Sequence, residues 1–292
     1  MKKIIFAEEI GFGRLSVLIM KEFIGELMGT FVLTLFGCCS VAVAVLFGEY
    51  NSIFQIGLVW GLGVSLAIYL TRNICCAHLN PAVSVAMVLA GRMRSGKLPL
   101  YVAAQLTGAV LAGAVLYGLF ATSIANYEAA HEIVRGTAAS VDTARMFGEF
   151  YPNPGDAAVA VVSLPLAMCA EGFGTFMLVL FIFALTEGCN VGRPSSDLQP
   201  VFIGLTVSSI IFFVAPLTQA GLNPARDMGP RIVAYFAGWG QASQPDRVGG
   251  WFWVYVLAPI IGGSLAAWFF KYVLEPVNRK KNSCCCSGKE EK

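Results

Sequence analysis

Two short stretches carry residue types that could act on a passing solute. Asn80-Pro81-Ala82 and Asn223-Pro224-Ala225 each lie between apolar runs. Asn is a preferred helix N-cap, and Pro suits the first helical position. Each stretch therefore predicts the start of a short helix at membrane depth. A helix N-terminus carries partial positive charge and free N–H groups. Two such termini meeting tip to tip disfavour cations, hydrated protons included. Each Asn side chain adds amide donors for a hydroxyl or a water. This is the chemistry of passage. Catalysis has no comparable signature: the only histidines are His78 and His131, and no nucleophile–base or metal constellation surrounds either. No enzyme, cofactor or metal site is expected.

The elements that must hold these stretches follow from composition. The chain has 292 residues, 57% of them hydrophobic and 13% charged. Its mean hydropathy is +0.69. That balance excludes a water-soluble globule and predicts a multi-pass membrane protein. Six apolar runs are long enough to span a bilayer, at about 18–47, 53–71, 98–121, 158–187, 198–217 and 251–274. Segments 80–91 and 223–237 are too short and are predicted to be re-entrant. A net charge of +2 leaves no nucleic-acid footprint. No cleaved signal peptide is expected, because Glu8 and Glu9 follow Lys2 and Lys3 with no apolar core and small-residue cleavage site before Val17.

The chain repeats itself. Gly25-Glu26-Leu27-Met28-Gly29-Thr30-Phe31 is echoed by Ala170-Glu171-Gly172-Phe173-Gly174-Thr175-Phe176, and Tyr101-Val102-Ala103-Ala104 by Tyr255-Val256-Leu257-Ala258. With three spans per half, the second half must enter the membrane the opposite way up. Such inverted repeats place functional sites at the midplane. The expected organisation is an N-terminal cytoplasmic segment (1–16), a first repeat (17–121), a long extracytoplasmic connection (122–157), a second repeat (158–274) and a cytoplasmic cysteine-containing tail (275–292). Lys2, Lys3, Arg14, Lys21, Arg92, Arg94, Lys97, Arg279, Lys280 and Lys281 all fall on one side of this topology, which predicts cytoplasmic termini.

Several residues have plain structural readings. Cys38, Cys39, Cys75, Cys76, Cys169 and Cys189 read as packing filler in apolar segments, and Cys284-Cys285-Cys286 as part of an unstructured tail. Trp239, Trp251, Trp253 and Tyr255 read as an interfacial belt. Glu26 and Glu171 are carboxylates inside apolar helices, where a charge needs protein partners.

On His78-Leu79-Asn80-Pro81-Ala82-Val83, Asn223-Pro224-Ala225-Arg226 and the repeat, the chain resembles the aquaporin, or major intrinsic protein, family over about 17–274. The resemblance implies an all-α membrane protein of six transmembrane helices plus two re-entrant half-helices, with one pore per subunit in a homotetramer. It implies that Glu26 and Glu171 support the re-entrant loops, and that the carbonyls of Cys76, Ala77 and His78 line the pore. The family usually has glycine where Cys76 stands. By the same resemblance Trp60, Ile211, Ala220 and Arg226 form the narrow outer filter.

Water-selective members carry histidine at the position of Ile211. Without it the filter is wider and has an apolar wall, so Trp60 and Ile211 can hold a solute's carbon face while Arg226 holds its hydroxyls. Phe120, Asp227, Arg231, Pro259 and Ile260 resemble the glycerol-conducting branch. Bacterial glycerol facilitators place phenylalanine where Ala220 stands; the set Trp, Ile, Ala, Arg looks more like the filter of plant nodulin-like members. The expected function is a passive channel for glycerol and other small uncharged solutes, with some water, in a bacterial inner membrane. The alternatives are a water-selective aquaporin or an ion-coupled secondary transporter.

Overall fold

A computed structural model describes residues 2–50, 52–155, 161–246 and 249–281. Six helices are long and apolar enough to cross a membrane, and the described residues contain no strand. The first half comprises α1 (Lys2–Phe47), α2 (Ile53–Thr71), the short α3 (Pro81–Leu89) and α4 (Leu98–Ala130). A single turn of helix, α5 (Val141–Ala144), lies in the connection. The second half comprises α6 (Leu164–Thr186), α7 (Gln199–Thr218), the short α8 (Pro224–Ala234) and α9 (Gly250–Asn278). Helix α9 is continuous, with wider turns at Trp253–Leu257 and Phe270–Leu274.

The six spans begin and end close to the apolar runs, except where polar sequence continues a helix beyond the membrane. Helix α1 starts at Lys2 although its apolar stretch begins at Ile19. Helix α4 runs on to Ala130, so the expected connection begins as helix. Starts are capped as their residue types dictate. The Ser52 hydroxyl accepts from the Phe54 N–H at 3.2 Å, ahead of α2. Each such cap is worth about 1 kcal/mol. The tail cysteines Cys284 to Cys286 lie outside the described residues.

The halves interlock. Helix α1 packs on α2 and α4, and α6 on α7 and α9. Each re-entrant helix then crosses over: α3 packs on α9 and α8 on α4. At the centre α2 meets α7 through Gly61 and Gly204, where a Cβ on either would overlap the other's carbonyl. In lipid this close approach of backbones supplies the packing that holds helices together. Outward faces are apolar, with Leu62, Leu66, Leu119, Phe213, Leu265 and Trp268 exposed.

The aromatic belt is only half present. Trp253 is exposed, but Trp239 and Tyr255 are completely buried. The Trp239 indole N–H donates to the Thr143 Oγ1 at 2.9 Å, and the Tyr255 hydroxyl to the Thr218 carbonyl at 3.1 Å. A buried aromatic with a polar atom needs such a partner, and these two found theirs inside the protein. The filler reading of the cysteines also fails in part. Cys38 and Cys75 are buried, whereas Cys76 and Cys169 are exposed.

Candidate functional site

A cavity of about 230 Å³ runs through the bundle. Arg72, Thr186 and Gln199 line one end, Asn80 and Asn223 the middle, and Trp60, Ile211, Ala220 and Arg226 the other end. Cys76, Ala77 and His78 also line it, so Cys76 is exposed to the lumen rather than to lipid or core. A second cavity of about 140 Å³ lies beyond, lined by Val41, Ile53, Arg145, Glu149 and Gln219 among others. Trp60 and Ile211 form walls of both. Two of the four residues that the resemblance assigns to the filter, Trp60 and Ile211, thus stand at the neck where the cavities meet.

The middle is built from two helix starts. Asn80 and Asn223 have extended backbones and cap α3 and α8, with Pro81 and Pro224 at the first helical positions. The Asn80 Oδ1 accepts from the Ala82 N–H at 2.8 Å, and the Asn223 Oδ1 from the Ala225 N–H at 3.1 Å. Each amide also donates across the pseudo-twofold axis. Asn80 Nδ2 reaches the Leu222 carbonyl at 2.9 Å, and Asn223 Nδ2 the Leu79 carbonyl at 2.8 Å. The sequence predicts amide donors at each Asn for the solute, and each amide carries a pair of hydrogens. One of each pair is in fact spent on the opposite motif, and one remains for the lumen.

Approaching each helix start, the chain passes through left-handed backbone. Ala77 and Leu79 have φ of 50° and 55°; Gln219, Ala220 and Leu222 have 59°, 62° and 55°. Such conformations are uncommon for residues other than Gly, and need support. The buried glutamates give it. Glu26 Oε1 accepts from the His78 N–H at 2.8 Å and Oε2 from the Leu79 N–H at 2.7 Å. Glu171 accepts from the Gly221 and Leu222 N–H groups at 2.8 and 2.7 Å. Each carboxylate has a further side-chain donor: Gln105 Nε2 at 2.8 Å for Glu26, and the Thr218 hydroxyl at 2.6 Å for Glu171. Backbone N–H groups that would be orphaned at membrane depth are thereby satisfied.

At the neck Arg226 lies over the Trp60 ring, 3.9 Å from its centroid. Trp60 has no room behind it, since a Cβ on Gly37 of α1 would overlap the indole. Arg226 is also ion-paired with Glu149, and both side chains are buried. Asp227 does not pair with Arg226. Its carboxylate accepts from Arg231, with Oδ1 2.6 Å from Nη2, and from the Glu149 N–H at 2.8 Å. Arg231 Nη2 also donates to the Glu149 carbonyl at 2.7 Å. Arg226, Glu149, Asp227 and Arg231 thus balance in charge when all are ionised. Burial, against the pull of Arg226, pushes the Glu149 carboxyl up to about 7.

Of the five positions that suggested the glycerol-conducting branch, none lines the inner cavity. Asp227 and Arg231 fasten the Glu149 segment, Phe120 packs near Phe47 with centroids 6.3 Å apart, and Pro259 and Ile260 lie in α9. Sequence reasoning missed Glu149, Gln105 and Thr218. Glu149 was one acid among several in the connection, and nothing local says that it folds back onto Arg226. Gln105 and Thr218 are polar residues in apolar helices, a signal that could have pointed to Glu26 and Glu171.

The profile of the "Major intrinsic protein" family matches residues 14–270. A glycerol uptake facilitator protein of Pseudomonas aeruginosa is 39% identical over 245 residues, covering 84% of this chain and 85% of that protein. Human aquaporin-10 is 35% identical over 260 residues, covering 89% and 82%. Among solved structures, the X-ray structure of the aquaglyceroporin from Plasmodium falciparum superposes with a TM-score of 0.77 at 27% identity, covering 90% of this chain and 99% of that one. Together with the paired half-helices, these matches mean that the chain belongs to the major intrinsic protein family.

Proposed function

We propose that this protein is a passive channel for glycerol and other small uncharged solutes, with some water, which excludes ions and protons. The observation that carries the reading is the neck of the cavity. There a single cationic donor, Arg226, faces the apolar walls Trp60 and Ile211. A polyol has one face of carbon and one of hydroxyls, and this neck offers a partner for each. A bare ion would lose its hydration without equivalent replacement. Ala220 leaves space beside Arg226, where a larger side chain would close the slit. Below the neck, the carbonyls of Cys76, Ala77 and His78 supply acceptors and the remaining Asn80 and Asn223 amide hydrogens supply donors. The two half-helix starts set the barrier to cations.

Glycerol is favoured further by the relatives. Besides the glycerol facilitators, a propanediol uptake facilitator from Citrobacter freundii is 37% identical, covering 84% of this chain and 88% of that protein. Their bacterial sources support a bacterial inner membrane, and the one-sided distribution of Lys and Arg supports cytoplasmic termini. The family supports a homotetramer, with the outward apolar faces divided between lipid and neighbouring subunits.

The test is light scattering of proteoliposomes after a rapid glycerol gradient, with a sucrose gradient beside it for water. Fast reswelling in glycerol, linear in concentration and independent of ion gradients, is the expected result. Water flow without glycerol entry would make this a water channel instead. Saturable, ion-coupled flux would make it a transporter.

A further inference from the structure

Around the end of α4 and the connection that follows it, four side chains from four stretches close a ring. Glu128, in the last turns of α4, receives Nη2 of Arg135 at 2.7 Å and the Thr143 hydroxyl at 2.8 Å. The same Thr143 oxygen accepts from the indole N–H of Trp239 at 2.9 Å. The Arg135 guanidinium lies over the Trp239 ring, 4.1 Å from its centroid, and so completes the circuit. Thr143 and Trp239 are fully buried and Glu128 nearly so. Phe147 packs on Trp239, with centroids 5.2 Å apart.

The place of this ring in the chain matters. Trp239 follows the end of α8, whose first turn carries Arg226 and Asp227. Thr143 precedes Glu149 by under two helical turns of sequence. The segment from Thr143 to Phe150 is therefore fastened to the α8 region at both ends. At one end Trp239 holds Thr143. At the other, Asp227 accepts the Glu149 N–H and Arg231 donates to the Glu149 carbonyl. What remains free to vary is where the Glu149 carboxylate stands against Arg226.

We infer that Glu128, Arg135, Thr143 and Trp239 are positioning residues for the filter: their ring fixes the segment that carries Glu149 and so sets how far Arg226 leans toward Trp60. The inference rests on reading Arg226 as the filter residue of a solute channel. Arg226 feels two attractions, that of the Glu149 carboxylate and that of the Trp60 face. Loosening the ring shifts the carboxylate, and Arg226 moves further over Trp60 and narrows the neck.

The experiment is a double-mutant cycle in proteoliposomes of the full-length protein, with flux per folded channel. Thr143→Val keeps shape and loses the hydroxyl; Trp239→Phe keeps an aromatic ring and loses the N–H donor. Each is expected to lower flux about threefold to tenfold, the size of one lost hydrogen bond in a buried network. In a Glu149→Gln background neither is expected to lower flux further, because both act through Glu149. Unchanged flux per channel in both single variants, or losses that add to that of Glu149→Gln, would overturn the inference in favour of a merely structural ring. Both solutes are measured. A parent protein that admits water and no glycerol defeats the polyol reading, while the cycle still decides the ring on water flux.

Discussion

Asn80 and Asn223 are each tied to the other's motif: the side-chain amide of one donates to the carbonyl preceding the other, at 2.9 and 2.8 Å. The two half-helices are therefore fixed relative to one another at the point where their positive ends converge. Asn223→Asp keeps the oxygen that caps α8, removes the crossing donor and adds a negative charge. At this poorly screened midpoint one unit charge is worth more than the ~1.4 kcal/mol that gives a tenfold change in rate. Proton leak, read with a pH dye trapped in vesicles, is expected to rise about tenfold by the same arithmetic. An unchanged leak would place the cation barrier elsewhere.

Glu171→Gln presents an amide to donors that need an acceptor. Gly221, Leu222 and Thr218 all donate to the carboxylate. One orphaned donor at this depth costs about 2 kcal/mol. The amount of folded protein is expected to fall more than the selectivity of what folds, as judged by size-exclusion yield and the glycerol-to-water flux ratio. Normal yield with altered selectivity would give Glu171 a direct role in the pore.

Ile211→His combined with Ala220→Cys replaces an apolar wall of the neck by a polar one and takes up the space beside Arg226. Glycerol flux is expected to drop about tenfold, within the range by which a pocket rejects a misfitting group, and water flux to drop less. Equal loss of both would remove Ile211 and Ala220 from the filter.

The buried Glu149 carboxyl beside Arg226 predicts a flux that depends on pH. Its carboxyl is pushed up to about 7 by burial, although Arg226 opposes the shift. Asp227, Arg231 and Arg226 face it from α8, and Arg145 shares its cavity. Above about 7 Glu149 is ionised and holds Arg226 back; below, Arg226 is left to Trp60. Flux is expected to fall several-fold as pH drops through 7, and Glu149→Gln to be low and flat with pH. The stability effect has the opposite sign. A folded value above the ordinary 4.5 means that the unfolded chain releases this proton first. The contribution is fully present below about 4.5 and is lost as pH rises to 7. A pH-independent flux in the parent protein would contradict this account.

Residue types and their periodicity are enough to settle part of this architecture. Apolar runs long enough to span a bilayer must become helices, because lipid leaves backbone groups no other partner. Asn-Pro-Ala between apolar runs favours a helix start, as at Asn80 and Asn223, and the repeat of these signals implies two halves of opposite sense. Trp60, Ile211, Ala220 and Arg226, singled out by resemblance, stand together at one neck. The tertiary structure decided everything carried by contacts between distant stretches. Glu149 meets Arg226, Asp227 takes Arg231 rather than Arg226, and Trp239 leaves the interface to hold Thr143. Nothing local encodes these pairings. A buried charge or donor is satisfied by whichever partner the packing of α4, α8 and the connection brings within hydrogen-bond reach, and that is a property of the assembled fold.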